Sequence, residues 1–338
     1  MTKTQKILYG ALLAVIAVLL VIGGIYDLTI ANNVYQPDNI VARVLEGAGI
    51  FPPFVFVGAT FAVLFFLIKP EDEKRTLKKV ICLGCSALSY LVFGYMAADA
   101  LEPLWQKAIV ALCGAALLTP LTYLFFKNKR ETSLKRFEIF LIFASIVCVI
   151  SSLFTVNVVK YLWGRVRYRE MVAENDVFFE AFTAWYRPNG FSLHGHHSFP
   201  SGHTCSATNL LVLLALDEVF PDSKKHKKTV TFLVFFYIFI MAYSRLVLGA
   251  HFLSDVTGGF AIGLVTYAVA RYLYFDKSRV VVDAILAVNE GETAADGAEP
   301  AQEDAGKEET QVEFEQSLLL DEEQEGSQEV SKEENKAE

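Results

Sequence analysis

The sequence predicts an all-α fold, a polytopic membrane helix bundle of about eight spans. Three observations carry this expectation. The 338 residues are 53% hydrophobic with a mean hydropathy of +0.37, above the roughly 45–50% apolar share of a soluble domain. The apolar residues lie in long unbroken runs. Charge is also segregated: residues 281–338 hold 19 acidic residues against three lysines, a net of −16, which leaves +8 for residues 1–280 of a chain whose total is −8. The body is basic and membrane-embedded, and the tail is an acidic appendage.

A helix needs roughly 20 apolar residues to cross the bilayer core. Candidate spans fall near 7–26, 50–68, 80–98, 107–126, 138–158, 203–219, 229–248 and 254–275. Lys3 and Lys6 flank the first span. Its apolar stretch is too long for a secretory signal and no A-x-A site follows, so it reads as a retained helix. Eight spans place both termini on one side, and the Lys and Arg count of the loops makes that side cytoplasmic. Loops 69–79 and 127–137 carry five each and loop 217–228 carries four, whereas loop 27–49 has Arg43 alone and loop 99–106 has none. With no organelle signal and no glycosylation signal in the outer loops, a multi-pass protein of a bacterial plasma membrane is expected. One outer loop breaks the charge rule: residues 159–202 carry Lys160, Arg165, Arg167, Arg169 and Arg187. Basic residues placed against the rule are wanted for something else.

Five cysteines (Cys82, Cys85, Cys113, Cys148, Cys205) lie in or beside apolar runs, which argues against an extracellular disulfide framework. The Cys82-x-x-Cys85 pair reads as small buried hydrophobes sooner than as a redox couple. Nucleic acid is not an expected partner; membrane lipids are.

The chemistry sits in three short segments. In KYLWGRVR, Lys160 and Arg167 are seven residues apart, and two helical turns would return both to nearly one face. Pro200-Ser201-Gly202-His203 precedes an apolar run; glycine there lets a ligand approach the backbone, and the free N–H groups of a helix start attract anions. In Ser244-Arg245-x5-His251-x3-Asp255, an i, i+4 spacing would let Asp255 accept a hydrogen bond from one imidazole nitrogen of His251 and leave the other unprotonated. All three segments lie at outer ends of spans, so one pocket at one membrane face can hold them. Three cationic side chains and a helix N-terminus match a phosphate dianion. Two histidines supply a nucleophile and an acid.

In order and spacing these segments resemble the phosphatidic acid phosphatase type 2 and vanadium haloperoxidase superfamily, whose signature is Lys-x6-Arg-Pro, Pro-Ser-Gly-His and Ser-Arg-x5-His-x3-Asp. The departure is Tyr168 in the place of the family's proline, where a local backbone change is expected. The resemblance implies a six-helix phosphatase core over residues 80–275. Residues 1–79 are then two additional spans with a cytoplasmic loop, and 276–338 a disordered acidic cytoplasmic tail of low aromatic content, with the LLL at 318–320 a possible short partner-binding helix.

The resemblance further implies that His251 attacks phosphorus and becomes a phosphohistidine, that Asp255 fixes its tautomer, and that His203 protonates the leaving oxygen and then deprotonates water. Lys160, Arg167 and Arg245 would hold phosphate oxygens, helped by Ser201 and the Gly202 N–H. With these cations in place and no acidic cluster to hold magnesium, no metal and no cofactor are expected. The substrate class is a lipid phosphate or diphosphate, such as phosphatidate, phosphatidylglycerol phosphate or a polyprenyl diphosphate. The alternatives are a lipid headgroup transferase of the same fold, or a non-catalytic lipid-phosphate binding or transport protein.

Other groups read more blandly. His194, His196 and His197 suit a pocket rim better than a metal site. Arg165, Arg169 and Arg187 either snorkel to headgroups or assist the substrate. Trp163, Trp185 and Tyr186 read as interfacial aromatics, and Gly259-x-x-x-Gly263 as close helix packing.

Overall fold

The computed structural model describes residues 3–98, 101, 103–173, 181–192 and 195–296. Among these the secondary structure is helical, with no strand. The chain divides into a unit ending at Val288 and a second beginning at Asn289, of which residues 289–296 are described, as helix. The site discussed below belongs to the first unit.

Helix α1 spans Lys3–Val34, α2 Ile40–Ala48, α3 Phe51–Leu67, α4 Arg75–Ala97 and α5 Leu104–Lys127. Helix α6, Glu131–Cys148, widens into a π-helical turn over Val149–Thr155 and continues as α7, Val156–Trp163; a short α8 covers Tyr168–Ala173. Further along the chain come α9, Gly202–Thr208, a 3₁₀ stretch over Asn209–Ala215 and α10, Leu216–Val219. Helix α11 is Lys227–Val247, α12 is Leu253–Arg271 and α13 is Arg279–Asp296. Among the described residues, seven helical stretches are long and apolar enough to cross a membrane: Tyr9–Val34, Ile40–Leu67, Arg75–Ala97, Leu104–Lys127, Glu131–Trp163, Pro221–Val247 and Leu253–Lys277. The chain is a multi-pass helical membrane protein.

The eighth expected span, 203–219, runs through the bundle but is of another kind. Ser201 N–H donates to Asp255 O at 2.9 Å at one end, while Arg136 donates to Val219 O at the other. In between, Thr204, Thr208 and Asn209 are buried and hydrogen-bonded inside the protein, Asn209 Nδ2 donating to Ser152 Oγ at 2.7 Å. A segment surrounded by protein instead of lipid carries polar groups at no penalty once they are paired. It is therefore free to carry these polar groups, and it is not among the seven stretches above.

Small residues let neighbours close on it. A Cβ on Gly259 would stand 2.3 Å from Ser201 O, and one on Gly263 2.7 Å from Thr208 Cβ. The expected packing role of these two glycines holds. By contrast α4 and α5 turn large apolar side chains such as Leu88, Leu117 and Leu124 outward, the pattern of helices that face lipid.

Two boundaries depart from expectation. The first span does not stop at 26 but continues to Val34, because Asp27 is buried against α12 and does not mark an end. Where the sequence predicts a disordered tail from 276, α13 forms instead. Val281, Ala284 and Ile285 pack on the core and Val288 is buried, which is the i, i+3, i+4, i+7 stripe of an amphipathic helix. Residues 297–338, with the LLL at 318–320, lie outside the described residues.

Candidate active site

Five of the predicted residues line one cavity of about 310 Å³: Lys160, Arg167, His203, Arg245 and His251. Glu46, Ile50, Tyr95, Met96, Arg169 and Ala250 complete its wall. Ser201, Gly202 and Asp255 stand behind that wall. Each arrives by a local route that periodicity alone would misjudge.

Lys160 and Arg167 do not share a helix face. Helix α7 ends at Trp163, where Gly164 takes a left-handed conformation (φ +57°) and donates its N–H to Lys160 O at 3.2 Å, a common helix stop. Arg167 then reaches the same cavity from the link that follows. Its backbone N–H donates to Glu170 Oε2 at 3.1 Å.

Arg245 ends α11, and its carbonyl accepts from the N–H of Ala250 (3.1 Å) and His251 (3.3 Å). Gly249 makes the turn between them at φ +59°. His251 is thus held in the link and not on α12.

Asp255 sits in the first turn of α12. Its Oδ2 accepts from Phe252 N–H at 2.8 Å and from Ser198 Oγ at 2.5 Å, a carboxylate satisfying a helix start. The expected His251–Asp255 hydrogen bond is replaced by a neighbouring charge, for Nδ1 and Oδ2 are 3.8 Å apart. Nδ1 lies instead 2.6 Å from the Ser198 carbonyl. A carbonyl only accepts, so Nδ1 carries the proton and the Nε2 lone pair is left unprotonated. Burial pulls the imidazole down to about 4; Lys160 and Arg167 add to the shift and Asp255 opposes it. His251 is therefore neutral at ordinary pH, as a nucleophile must be.

His203 directs Nε2 at Glu46 O, 2.8 Å away. By the same argument Nε2–H donates there and Nδ1 is the nitrogen that gains or loses a proton. Ser201 is the N-cap of α9, accepting from Thr204 N–H at 3.3 Å. A Cβ on Gly202 would stand 3.4 Å from Lys160 Nζ, so glycine keeps open the space beside that ammonium.

Four contributors have roles that sequence reasoning missed. Ser198 binds both His251, through its carbonyl, and Asp255, through its hydroxyl. Glu46, on α2, places Oε1 3.0 Å from Arg169 Nη1 and 3.2 Å from Arg245 Nη1. Arg165 neither snorkels nor touches the cavity; it is 1% exposed and reaches Asp255 Oδ1 at 2.6 Å and Asp27 Oδ2 at 2.9 Å. Asp27, on α1, is the fourth. An ionisable residue inside an apolar run is the signal that could have found it.

Trp163 and Trp185 are packing residues more than belt residues. Trp185 Nε1 donates to Leu20 O at 2.9 Å and its ring stacks on Phe199, tying the outer loop to α1. Tyr186 and Arg187 are exposed. His197 Nε2 donates within the loop to Ser192 O (3.0 Å), His196 lies 3.7 Å from Glu170, and His194 is outside the described residues. Tyr168 opens α8, with its hydroxyl 2.8 Å from Asn32 Oδ1 and its ring edge-on to Tyr35.

With this geometry in view, the comparison with known families is decisive for the segment that carries the three motifs. Residues 141–279 match the sequence model of the PAP2 superfamily. Seventy-six residues are 37% identical to phosphatidylglycerophosphatase B of Bacillus subtilis (strain 168), a stretch amounting to 22% of this chain and 37% of that protein. The chain thus spans little more than a third of that relative's length. No solved structure matches the chain. The PAP2 segment holds all eight predicted site residues, whereas Asp27 and Glu46 come from outside it.

Proposed function

We propose that this chain is a membrane phosphatase that hydrolyses a lipid phosphate or diphosphate at the extracytoplasmic face through a phosphohistidine on His251. One observation carries the reading: His251, with Nδ1 turned back onto Ser198 O, opens into the same cavity as Lys160, Arg167, Arg245 and His203. The three cations would hold the non-bridging oxygens of the phosphoryl group, and preorganised positive charge is the main demand of phosphoryl transfer.

His251 Nε2 attacks phosphorus as the bond to the leaving oxygen breaks. His203, protonated on Nδ1, gives that oxygen its proton and keeps Nε2–H on Glu46 O. A water then transfers its proton to His203 Nδ1 and attacks the phosphohistidine, releasing inorganic phosphate and freeing His251. Gly202 leaves room beside Lys160 for the phosphoryl oxygens, and Ser201 fixes the turn that presents His203. Both termini are cytoplasmic in this reading, and residues 80–275 form the catalytic core to which the N-terminal helices add Asp27 and Glu46. The Bacillus relative's name supports phosphatidylglycerol phosphate as the first lipid to test, beside phosphatidate and polyprenyl diphosphates.

The test is phosphate release from purified lipid phosphates, in excess chelator, with rapid-quench trapping of labelled enzyme. Release and a trapped phosphoenzyme are expected from the wild type, and neither from His251→Ala. A wild type that releases no phosphate from the panel overturns the reading. Label passed to a second lipid instead of water marks a transferase.

A further inference from the structure

We infer that Asp27 is a positioning residue of this site: it holds Arg165 against Asp255 and so sets the charge behind His251, which makes α1 a working part of the phosphatase. The inference rests on the phosphohistidine reading and deepens it.

The contacts form one closed set. Arg165 donates from Nη2 to Asp27 Oδ2 (2.9 Å), from Nη1 to Asp255 Oδ1 (2.6 Å) and to Ser254 Oγ (2.8 Å), and from Nε to Thr183 O (2.9 Å). Asp27 also accepts the Ser254 backbone N–H at 3.0 Å and the Ser254 hydroxyl. The Phe252 ring lies 4.3 Å from the guanidinium and closes its face. Arg165 and Asp27 are each 1% exposed and Asp255 0%. One guanidinium is thus shared by two carboxylates in a sealed space, where water screens nothing.

Without Asp27 the guanidinium would have a single carboxylate, and Asp255 alone would have to balance its charge. The negative charge that Asp255 offers His251 would fall. Attack on phosphorus makes His251 cationic, so Asp27 stabilises the developing charge through two intermediaries while touching neither substrate nor imidazole. Helix α1 is built for this approach: a Cβ on Gly23 would stand 2.8 Å from Ser254 Cβ, so only glycine there lets Asp27 come this close to the start of α12. Tyr168, the departure from the family motif, docks the next turn through Asn32. The charged groups facing His251 are Asp255 from α12, Lys160 from α7, Arg167 from the link before α8, and His203 from α9 with Arg245 from α11 across the cavity.

The variants are Asp27→Asn, which removes the charge at nearly constant shape, and Asn32→Ala, which loosens α1 docking without touching the charge set. Two readouts are needed. One is the kcat and KM of the full chain on a lipid phosphate; the other is the titration of ring-labelled His251 in detergent, assigned with His251→Ala. Asp27→Asn should lower kcat by about 10–100-fold, the range found for outer partners of working histidines in metal sites, with KM unchanged. It should also move the His251 titration to lower pH, since the imidazolium has lost negative charge behind it. Asn32→Ala should leave the titration where the wild type has it.

An unchanged titration in Asp27→Asn overturns the inference, as does an equal shift in Asn32→Ala, which would make Asp27 a docking residue only. The titration needs no turnover. An inactive wild type with a shifted Asp27→Asn titration would therefore sink the phosphatase reading and leave the charge link standing.

Discussion

The two faces of the site use the same residue types to opposite ends. On the cavity face, Arg167, Arg169 and Glu46 keep side-chain exposures of 27, 36 and 26%; behind His251, Arg165, Asp27 and Asp255 keep 1, 0 and 0%. Arg165 spends four of its five donor positions on the protein. Such an arginine is structural scaffolding for a neighbour, sealed away from the cavity and from any ligand in it. Arg245 ties Nη2 to Ala42 O and Nε to Ser244 Oγ but aims Nη1 at Glu46 across the cavity, so an incoming anion can compete for it. What an arginine does here is decided by how much of its hydrogen-bonding capacity the fold has already consumed.

The largest expected effect tests that contrast directly. Arg165→Met leaves Asp27 and Asp255 buried without a cation, and breaking a buried pair typically costs about 3–5 kcal/mol. Its unfolding midpoint in detergent should collapse along with activity. Arg167→Ala, on the cavity face, should hold its midpoint and lose about 10–100-fold in kcat/KM, one charge-assisted hydrogen bond. Equal destabilisation of the two variants would erase the distinction between the faces.

Asp255→Asn should come next. In a hydrolase triad the equivalent change removes about 10⁴-fold because the wrong tautomer results. Here Ser198 O, at 2.6 Å, already holds the proton on Nδ1. The loss in kcat should therefore be smaller, on the order of 10²-fold, and a loss as large as the triad's would show that Asp255 and not Ser198 sets the tautomer.

A third effect is seen in pH. Only the neutral imidazole attacks, and burial brings His251 to about 4. The acid limb of kcat/KM should accordingly fall near pH 4, with full activity of this group retained as pH rises through 6.5. A limb centred near 6.5 would mean that the pocket is open to water around His251.

The smallest effect belongs to Glu46→Gln. Its carboxylate competes with a ligand anion for Arg245 and Arg169, but it is partly exposed, and such pairs are worth about 0.2–1 kcal/mol. Vanadate should inhibit this variant about two- to five-fold more tightly. Weaker inhibition would assign Glu46 a supporting role toward the anion instead of a competing one.

The sequence carried the cavity face well. Lys160, Arg167, His203, Arg245 and His251 were legible because their types and spacing state the chemistry, and the charge rule marked their loop as anomalous. How they converge was less legible. The helical face expected to join Lys160 with Arg167 is cut by Gly164, and the i, i+4 bond expected between His251 and Asp255 is displaced by the Ser198 carbonyl, a backbone atom with no sequence signature. Asp27 stands in the sequence as a lone acid just past the expected 7–26 span. Its partner is 138 positions away, and no local pattern links the two.

By itself the sequence determined the helical membrane architecture, since apolar runs of bilayer length admit few other folds, and it marked the side chains that meet in one cavity, since cations and imidazoles are costly in a membrane unless they work. Only the tertiary structure decided which charges are sealed and which stay available. That depends on what each guanidinium and carboxylate finds opposite it across helices distant in the chain: Arg165 and Arg245 are equally buried, and the donors the fold leaves uncommitted separate the one from the other.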